Sequence, residues 1–228
     1  GKAVIIGDAK TQKTPELMKK FGEYVHSLSG KYITAEDVGM ETSDMDLVRE
    51  VTPYVTGISE SKGGAGNPSP ITAYGVFMGM KAAAKFKFGT DILEDKKVFV
   101  QGIGHVGESL VEHLTNEGAK VVIADINEER LQEVSSKYGA TIYTGNDIYS
   151  EAMDIYAPCA LGATVNDDTL YAELENYGKQ EILRKTENIY NTTLQILEKA
   201  QESDITTNQA AMDIARERIA TRKKETSK

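Results

Sequence analysis

The chain has 228 residues, of which 40% are apolar and 27% charged, with a net charge of −9. That composition is ordinary for a water-facing fold and leaves room for one large domain or two small ones. The acidic balance argues against a nucleic-acid or anionic-membrane partner, and no apolar run is long enough for a membrane-spanning helix.

The single cysteine, Cys159, permits neither an internal disulfide nor a multi-cysteine metal site, and fits a reducing, cytoplasmic setting. His26 and His113 lie in helical stretches without a second ligand at metal spacing, so no metal centre is expected. The chain opens on Gly1, not methionine, and enters a strand-like run by Ala3, which points to further residues upstream.

Ala3 to Ile6 predicts a buried strand. Thr14-Pro15 predicts the start of a helix running to Leu28, with Leu17, Met18, Phe21 and Val25 on one face and Gly30 at its end. Lys31 to Ala35 predicts a second strand reaching Glu36-Asp37 and Gly39. Asp44 to Val51 predicts a short helix and Tyr54 to Ile58 a third strand. This α/β unit has no nucleotide fingerprint and is expected as a separate domain over residues 1–70. Its last stretch, SESKGGAGNPSP, has loop composition. Thr72 to Phe88 predicts a helix, placed in a connecting segment over 71–90. Ala73, Gly75, Gly79 and Ala82 to Ala84 surround it with small residues, so close packing must offset the poor helix propensity of the glycines.

Residues 97–125 carry the strongest local signal. Val98 to Val100 is strand-like, Gly102, Gly104 and Gly107 form a glycine turn, and Val106, Leu110, Val111 and Leu114 mark a helix ended by Gly118. Val121 to Ala124 is a second strand, closed by Asp125. The first glycine permits a tight turn, the second lets backbone approach a pyrophosphate, and the third lets the helix sit close to the strand. A pyrophosphate would meet the unpaired N–H groups and positive dipole end of the helix. Asp125 can accept both hydrogen bonds of a ribose diol and repels a 2′-phosphate, which favours NAD over NADP. His105 lies in the turn, facing either the pyrophosphate or solvent.

Further on, Glu128 to Tyr138 predicts a helix, and Thr141 to Tyr143 and Asp154 to Ala157 predict strands, completing four parallel strands. A Leu161-Gly162 turn and a helix start at Asn166-Asp167-Asp168 are expected next. Residues 180–199 and 207–219 predict amphipathic helices. A full six-stranded doubly wound sheet needs two more strands, so a segment near 171–179 is expected to be missing. The expected architecture is α/β with two domains across a cleft. The second is an incomplete Rossmann-type doubly wound parallel sheet over 91–175. C-terminal helices over 180–220 are expected to pack back toward the first domain.

Several stretches together resemble the glutamate/leucine/phenylalanine/valine dehydrogenases. They are Gly1-Lys2-Ala3-Val4-Ile5, Thr34-Ala35-Glu36-Asp37-Val38-Gly39, Gly66-Asn67-Pro68-Ser69-Pro70-Ile71-Thr72-Ala73-Tyr74-Gly75, Gln101-Gly102-Ile103-Gly104 and Ala157-Pro158-Cys159-Ala160-Leu161-Gly162. The resemblance implies NAD-linked oxidative deamination of an L-amino acid to a 2-oxo acid and ammonium, by a homo-oligomer. It implies that Lys2 is the catalytic lysine and Asp37 the catalytic aspartate. Gly1, Ala35, Gly39, Asn67, Ser69 and Thr72 fall in the substrate pocket and its closing loop. Ala157, Pro158, Cys159 and Ala160 fall beside the nicotinamide, with Gly102, Gly104, His105, Val106, Gly107 and Asp125 on the rest of the coenzyme.

The chain departs from the family in three ways. A second lysine, which in the family lies upstream of the catalytic one, would precede residue 1. The strand ending in Asn-Asn and the Asn-Ala-Gly-Gly helix start are absent. His105 stands where relatives usually carry asparagine. A nonenzymatic NAD-binding or regulatory protein is therefore the alternative reading, and another NAD-dependent dehydrogenase of the same fold the second. The setting of Cys159, Ala-Pro-Cys-Ala-Leu, predicts a neutral buried thiol and not a nucleophile. Small Ala35 and Gly39 lean toward leucine, isoleucine or valine over glutamate, because neither supplies a cation for a side-chain carboxylate.

Overall fold

The computed structural model describes residues 1–145, 151–160 and 179–226. The expected Leu161-Gly162 turn, the helix start at 166–168 and the segment near 171–179 lie outside the described residues. Contacts divide the chain into a first unit, Gly1–Thr72 with Gly162–Lys185, and a second, Ala73–Leu161 with Thr186–Lys228.

The first unit is built on two helices. α1, Pro15–Ser27, starts where Thr14 accepts the Leu17 N–H at 3.2 Å and proline takes the first helical position. α2, Thr42–Arg49, starts on a capping box in which Glu41 and Asp44 satisfy each other's backbone. Met18 from α1 and Met45 and Val48 from α2 close a core with Val55 and Ile58.

The three strands predicted here do not form, and this is a correction. Lys31 to Ala35 and Tyr54 to Ile58 meet only at one parallel bridge, Thr34 to Val55. There the Thr34 N–H donates to the Tyr54 carbonyl at 3.0 Å and the Thr56 N–H to the Thr34 carbonyl at 2.8 Å. Ala3 to Ile6 is not a buried strand either, since Val4 is 79% and Ile6 98% exposed. A run of branched residues becomes a strand only where another backbone lies beside it to take its hydrogen bonds, and no described segment pairs with this one.

Helix α3, Ser69–Phe88, crosses the division between units and starts three residues before the predicted Thr72. Asn67 Oδ1 accepts the Ser69 N–H at 2.8 Å, and Pro70 falls in the first turn, where its missing N–H costs nothing. The second unit holds β1 (Lys97–Gln101), α4 (His105–Asn116), β2 (Lys120–Ala124), α5 (Glu128–Tyr138), β3 (Thr141–Ile142) and β4 (Ile155–Pro158). The strands form one parallel sheet in the order β3-β2-β1-β4. Val98, Phe99 and Val100 of β1 are fully buried, as a central parallel strand covered on both faces requires. Leu110, Val111 and Leu114 of α4, Leu131 and Val134 of α5, and Phe77, Met80 and Ala84 of α3 share one core with Val98 and Val100.

Two long helices follow, α6 (Lys179–Glu202) and α7 (Thr207–Thr226), of which α7 and α6 from Thr186 on belong to the second unit. Within the second unit, α6 lies on the small-residue surface of α3, where a Cβ on Gly75 would come within 2.9 Å of Ile189 Cδ1. This close approach is the compensation that glycine in a helix requires. Lys199 pairs with Glu217 at 2.7 Å and Gln195 accepts from Arg218 at 3.1 Å, joining α6 to α7. The contacts thus group these C-terminal helices, from Thr186 on, with the sheet unit.

Candidate active site

The glycine turn lies between β1 and α4. Gly102 has φ +90°, and a Cβ on it would collide with the backbone of Ala160, just past the end of β4. The Cys159 N–H donates to the Gln101 carbonyl at 2.7 Å and seals this junction. Gly107 lies against the Gly102 carbonyl oxygen so closely that any side chain would drive α4 off the strand. The structure therefore gathers Gly102, Gly107, Cys159 and Ala160 from stretches far apart in sequence, with Ala157 3% exposed at the end of the same strand as Pro158.

Gly104 differs from its neighbours. Nothing lies within 4 Å of a Cβ built on it, and as the residue before α4 it provides no side-chain cap. The N–H groups of His105, Val106 and Gly107 thus open α4 without an intrahelical partner, next to a space left clear by glycine. An anion fits there. Exposed His105 stands at this mouth, and Val106 packs on the core.

Asp125 follows β2. Its Oδ2 accepts the Ile103 N–H at 2.8 Å and its Oδ1 accepts the Asn127 N–H at 2.9 Å. An ionised carboxylate offers about four acceptor positions, so two remain for a diol. The residues present fit a pyrophosphate and ribose, and so fit NAD: the helix N-terminus would hold the phosphates and Asp125 the ribose.

The first unit brings Lys2 and Asp37 together. Lys2 Nζ donates to Asp37 Oδ2, and the Val38 N–H donates to Asp37 Oδ1 at 2.8 Å. Burial pushes the Asp37 carboxyl up, but the hydrogen bonds from Lys2 and Val38 and the lysine charge outweigh it and hold it below its ordinary value. The hydrogen bond and charge of Asp37 raise the Lys2 ammonium. A depressed carboxyl loses its contribution only as pH falls through its folded value, and a raised ammonium only as pH rises through its own. Both groups are accordingly charged throughout the neutral range.

Lys13, outside the predicted set, supports this turn. Its Nζ donates to the Gly39 carbonyl at 3.1 Å and pairs with Asp44 at 2.5 Å. Glu36 is 5% exposed and accepts from Thr42 Oγ1 at 2.9 Å, which anchors the segment just before Asp37. Ala35 is half-buried, while Gly1 and Gly39 are exposed. At the other end of this unit, Ser69 is buried at the start of α3 and Thr72 Oγ1 donates to the Pro68 carbonyl at 3.0 Å.

Arg130 also went unmarked by sequence reasoning. Its Nε donates to the Ile103 carbonyl at 3.3 Å, and its guanidinium pairs with Glu108 and Glu133. Nothing local distinguishes Lys13 or Arg130 among the 26 lysines and arginines, because the turn carbonyls they reach, Gly39 and Ile103, lie more than twenty residues away in sequence. Burial pushes the Cys159 thiol up, so it is a protonated, half-buried thiol at neutral pH. Burial likewise lowers His113, which stacks on Phe77 with ring centroids 5.4 Å apart. No cluster of metal-ligating side chains occurs among the described residues.

The parallel sheet of the second unit, with its glycine turn and Asp125, fits the class of dinucleotide-binding proteins. Comparison with known proteins narrows that class. The Glu/Leu/Phe/Val dehydrogenase dimerisation domain matches residues 1–54, and the Glutamate/Leucine/Phenylalanine/Valine dehydrogenase domain matches residues 63–128. The leucine dehydrogenase of Bacillus subtilis (strain 168) is 43% identical over 96% of this chain and 73% of its own length. That alignment runs over 265 positions against a chain of 228, so the relative carries internal residues with no counterpart here. The L-tryptophan dehydrogenase of Nostoc punctiforme is 34% identical over 100% of this chain and 77% of its own. Its crystal structure superposes with a TM-score of 0.69 at 30% identity, covering 93% of this chain and 75% of that one. A hetero-hexameric glutamate dehydrogenase from Thermus thermophilus, with a TM-score of 0.68 at 16% identity over 92% of this chain and 69% of its own, shows the fold alone.

The chain belongs to the glutamate/leucine/phenylalanine/valine dehydrogenase family. It is an NAD-dependent enzyme that oxidatively deaminates an amino acid to a 2-oxo acid. No described helix is long and apolar enough to cross a membrane.

Proposed function

We propose that the amino acid is a branched-chain one: leucine, with valine and isoleucine as further substrates. The observation that carries this is the 43% identity to a leucine dehydrogenase, against 34% to a tryptophan dehydrogenase. The turn after Asp37 adds support. Ala35 and Gly39 are small, and the lysine that reaches this turn, Lys13, is neutralised by Asp44. A glutamate side chain would need a free cation there. Assembly as a homo-oligomer belongs to the same reading, supported by the dimerisation-domain match over residues 1–54.

The two units divide the chemistry. NAD, when bound, accepts the hydride from the substrate Cα–H. The glycine turn would hold and orient the dinucleotide, with α4 supplying N–H donors and Asp125 the acceptors for the ribose. The junction at Ala157 to Ala160 would line the nicotinamide side of the dinucleotide. Loss of hydride leaves an imino acid, whose carbon is attacked by water. The Lys2 ammonium stabilises the oxygen as charge develops on it. Asp37 takes the proton from that water and delivers one to the departing ammonia. Asn67, Ser69 and Thr72 belong to the loop and helix start that close over the substrate. The balanced reaction is L-leucine, NAD+ and water giving 4-methyl-2-oxopentanoate, ammonium, NADH and a proton.

The test is a substrate panel. Against leucine, valine, isoleucine, glutamate and tryptophan, the aliphatic substrates are expected to exceed the other two in kcat/KM by roughly 100-fold, the order that a misfitted or unpaired side chain imposes. Glutamate or tryptophan equal to or above leucine would overturn the assignment.

A further inference from the structure

The network around Arg130 bears on which dinucleotide the turn accepts. Arg130 lies in the first turn of α5, shortly after Asp125. Its Nε donates to the Ile103 carbonyl at 3.3 Å, while Asp125 accepts the N–H of the same residue at 2.8 Å. Guanidinium and carboxylate thus flank one residue of the glycine turn. A nearby arginine is what a dinucleotide fold uses to accommodate a 2′-phosphate. Here that arginine is already committed: one Nη pairs with Glu108 and the other with Glu133 at 2.6 Å. Glu108 is held in turn by Lys137 at 2.9 Å and by the Tyr138 hydroxyl at 3.3 Å. The Arg130 and Glu108 side chains are 25% and 17% exposed, so water only partly screens the pair.

We propose that Glu108 and Glu133 are specificity-determining residues for the coenzyme: they neutralise Arg130 and pin it to the turn, denying a 2′-phosphate its cation. Asp125 then acts as the repelling half of one device and this pair as the withholding half. Discrimination between ligands can come from contacts to the right one, from penalties against the wrong one, or from both. The inference rests on the reading of the glycine turn as the NAD site.

The experiment is titration calorimetry of NAD+ and NADP+ on the full chain. In Glu108→Gln/Glu133→Gln the Kd for NADP+ is expected to fall about tenfold and the Kd for NAD+ to move less than about threefold. Glu133→Gln alone is the milder variant, because Glu133 is the more exposed of the two carboxylates, and is expected to lower the Kd for NADP+ about threefold. Adding Arg130→Met should abolish the gain. NADP+ affinity unchanged in both glutamate variants, or a gain that survives Arg130→Met, overturns the proposal while NAD+ binding stands. Asp125→Ala should relax discrimination in every background. Wild-type protein that binds neither dinucleotide would instead remove the coenzyme site, and this inference with it.

Discussion

Asp37→Asn lowers turnover by about 100-fold or more and leaves the Kd for NAD within about twofold. Asparagine keeps the size of the side chain and an acceptor for the Val38 N–H, but it cannot take a proton from water. It also leaves Lys2 without its counter-charge, since Asp37 is the carboxylate that Lys2 Nζ meets. The carboxyl is held below its ordinary value, so it is ionised at neutral pH, the form the proposed proton-accepting role requires. Steady-state kinetics with saturating NAD, alongside calorimetry, separates the two halves. Equal turnover in mutant and wild type would remove Asp37 from the chemistry. Loss of NAD affinity would show damage reaching the other unit.

Gly102→Ala costs roughly 3 kcal/mol of stability and abolishes measurable NAD binding. Two effects add. A left-handed backbone costs a non-glycine residue about 1–3 kcal/mol, and Gly102 sits at φ +90°. The new methyl would also strike the Ala160 backbone, and overpacking of this kind costs about 1–3 kcal/mol. Relief requires β1 and β4 to part at the point where the coenzyme is to bind. Gly104→Ala is the informative partner, because its φ of −64° suits any residue and nothing lies near its Cβ. Gly104→Ala should keep wild-type stability and weaken NAD by about tenfold, by filling the space kept for phosphate. Chemical denaturation and NAD titration check both. A Gly102→Ala protein as stable as wild type would contradict the packing described here.

The contrast between these positions shows what was readable from the residues. Helix α5 runs from Glu128 to Tyr138 as predicted, because its signals are local: Asn127 caps it and Gly139 ends it in the left-handed region. Strands β1 and β2 were legible for a related reason, as short apolar runs flanking a glycine turn. Ala3 to Ile6 has the same kind of sequence and forms no strand, because a strand is defined by its neighbour and no local feature supplies one. The coenzyme turn with Asp125 is one continuous stretch and could be read directly. Lys2 and Asp37 could not be paired that way. They lie 35 positions apart, and only the likeness to a family singled them out. Arg130 and Lys13 lacked even that signal. Each acts on a backbone carbonyl, Ile103 or Gly39, that side-chain patterns do not reveal.

The proposed reading assigns hydride transfer and imine hydrolysis to one reaction on a branched-chain amino acid. Oxidation of L-leucine should therefore release NADH and ammonium at equal rates, followed together in one reaction, with 4-methyl-2-oxopentanoate as the carbon product. Equal rates are predicted for wild type, with both signals falling together in Asp37→Asn. NADH without ammonium, or a protein that binds NAD and oxidises no amino acid, would contradict it.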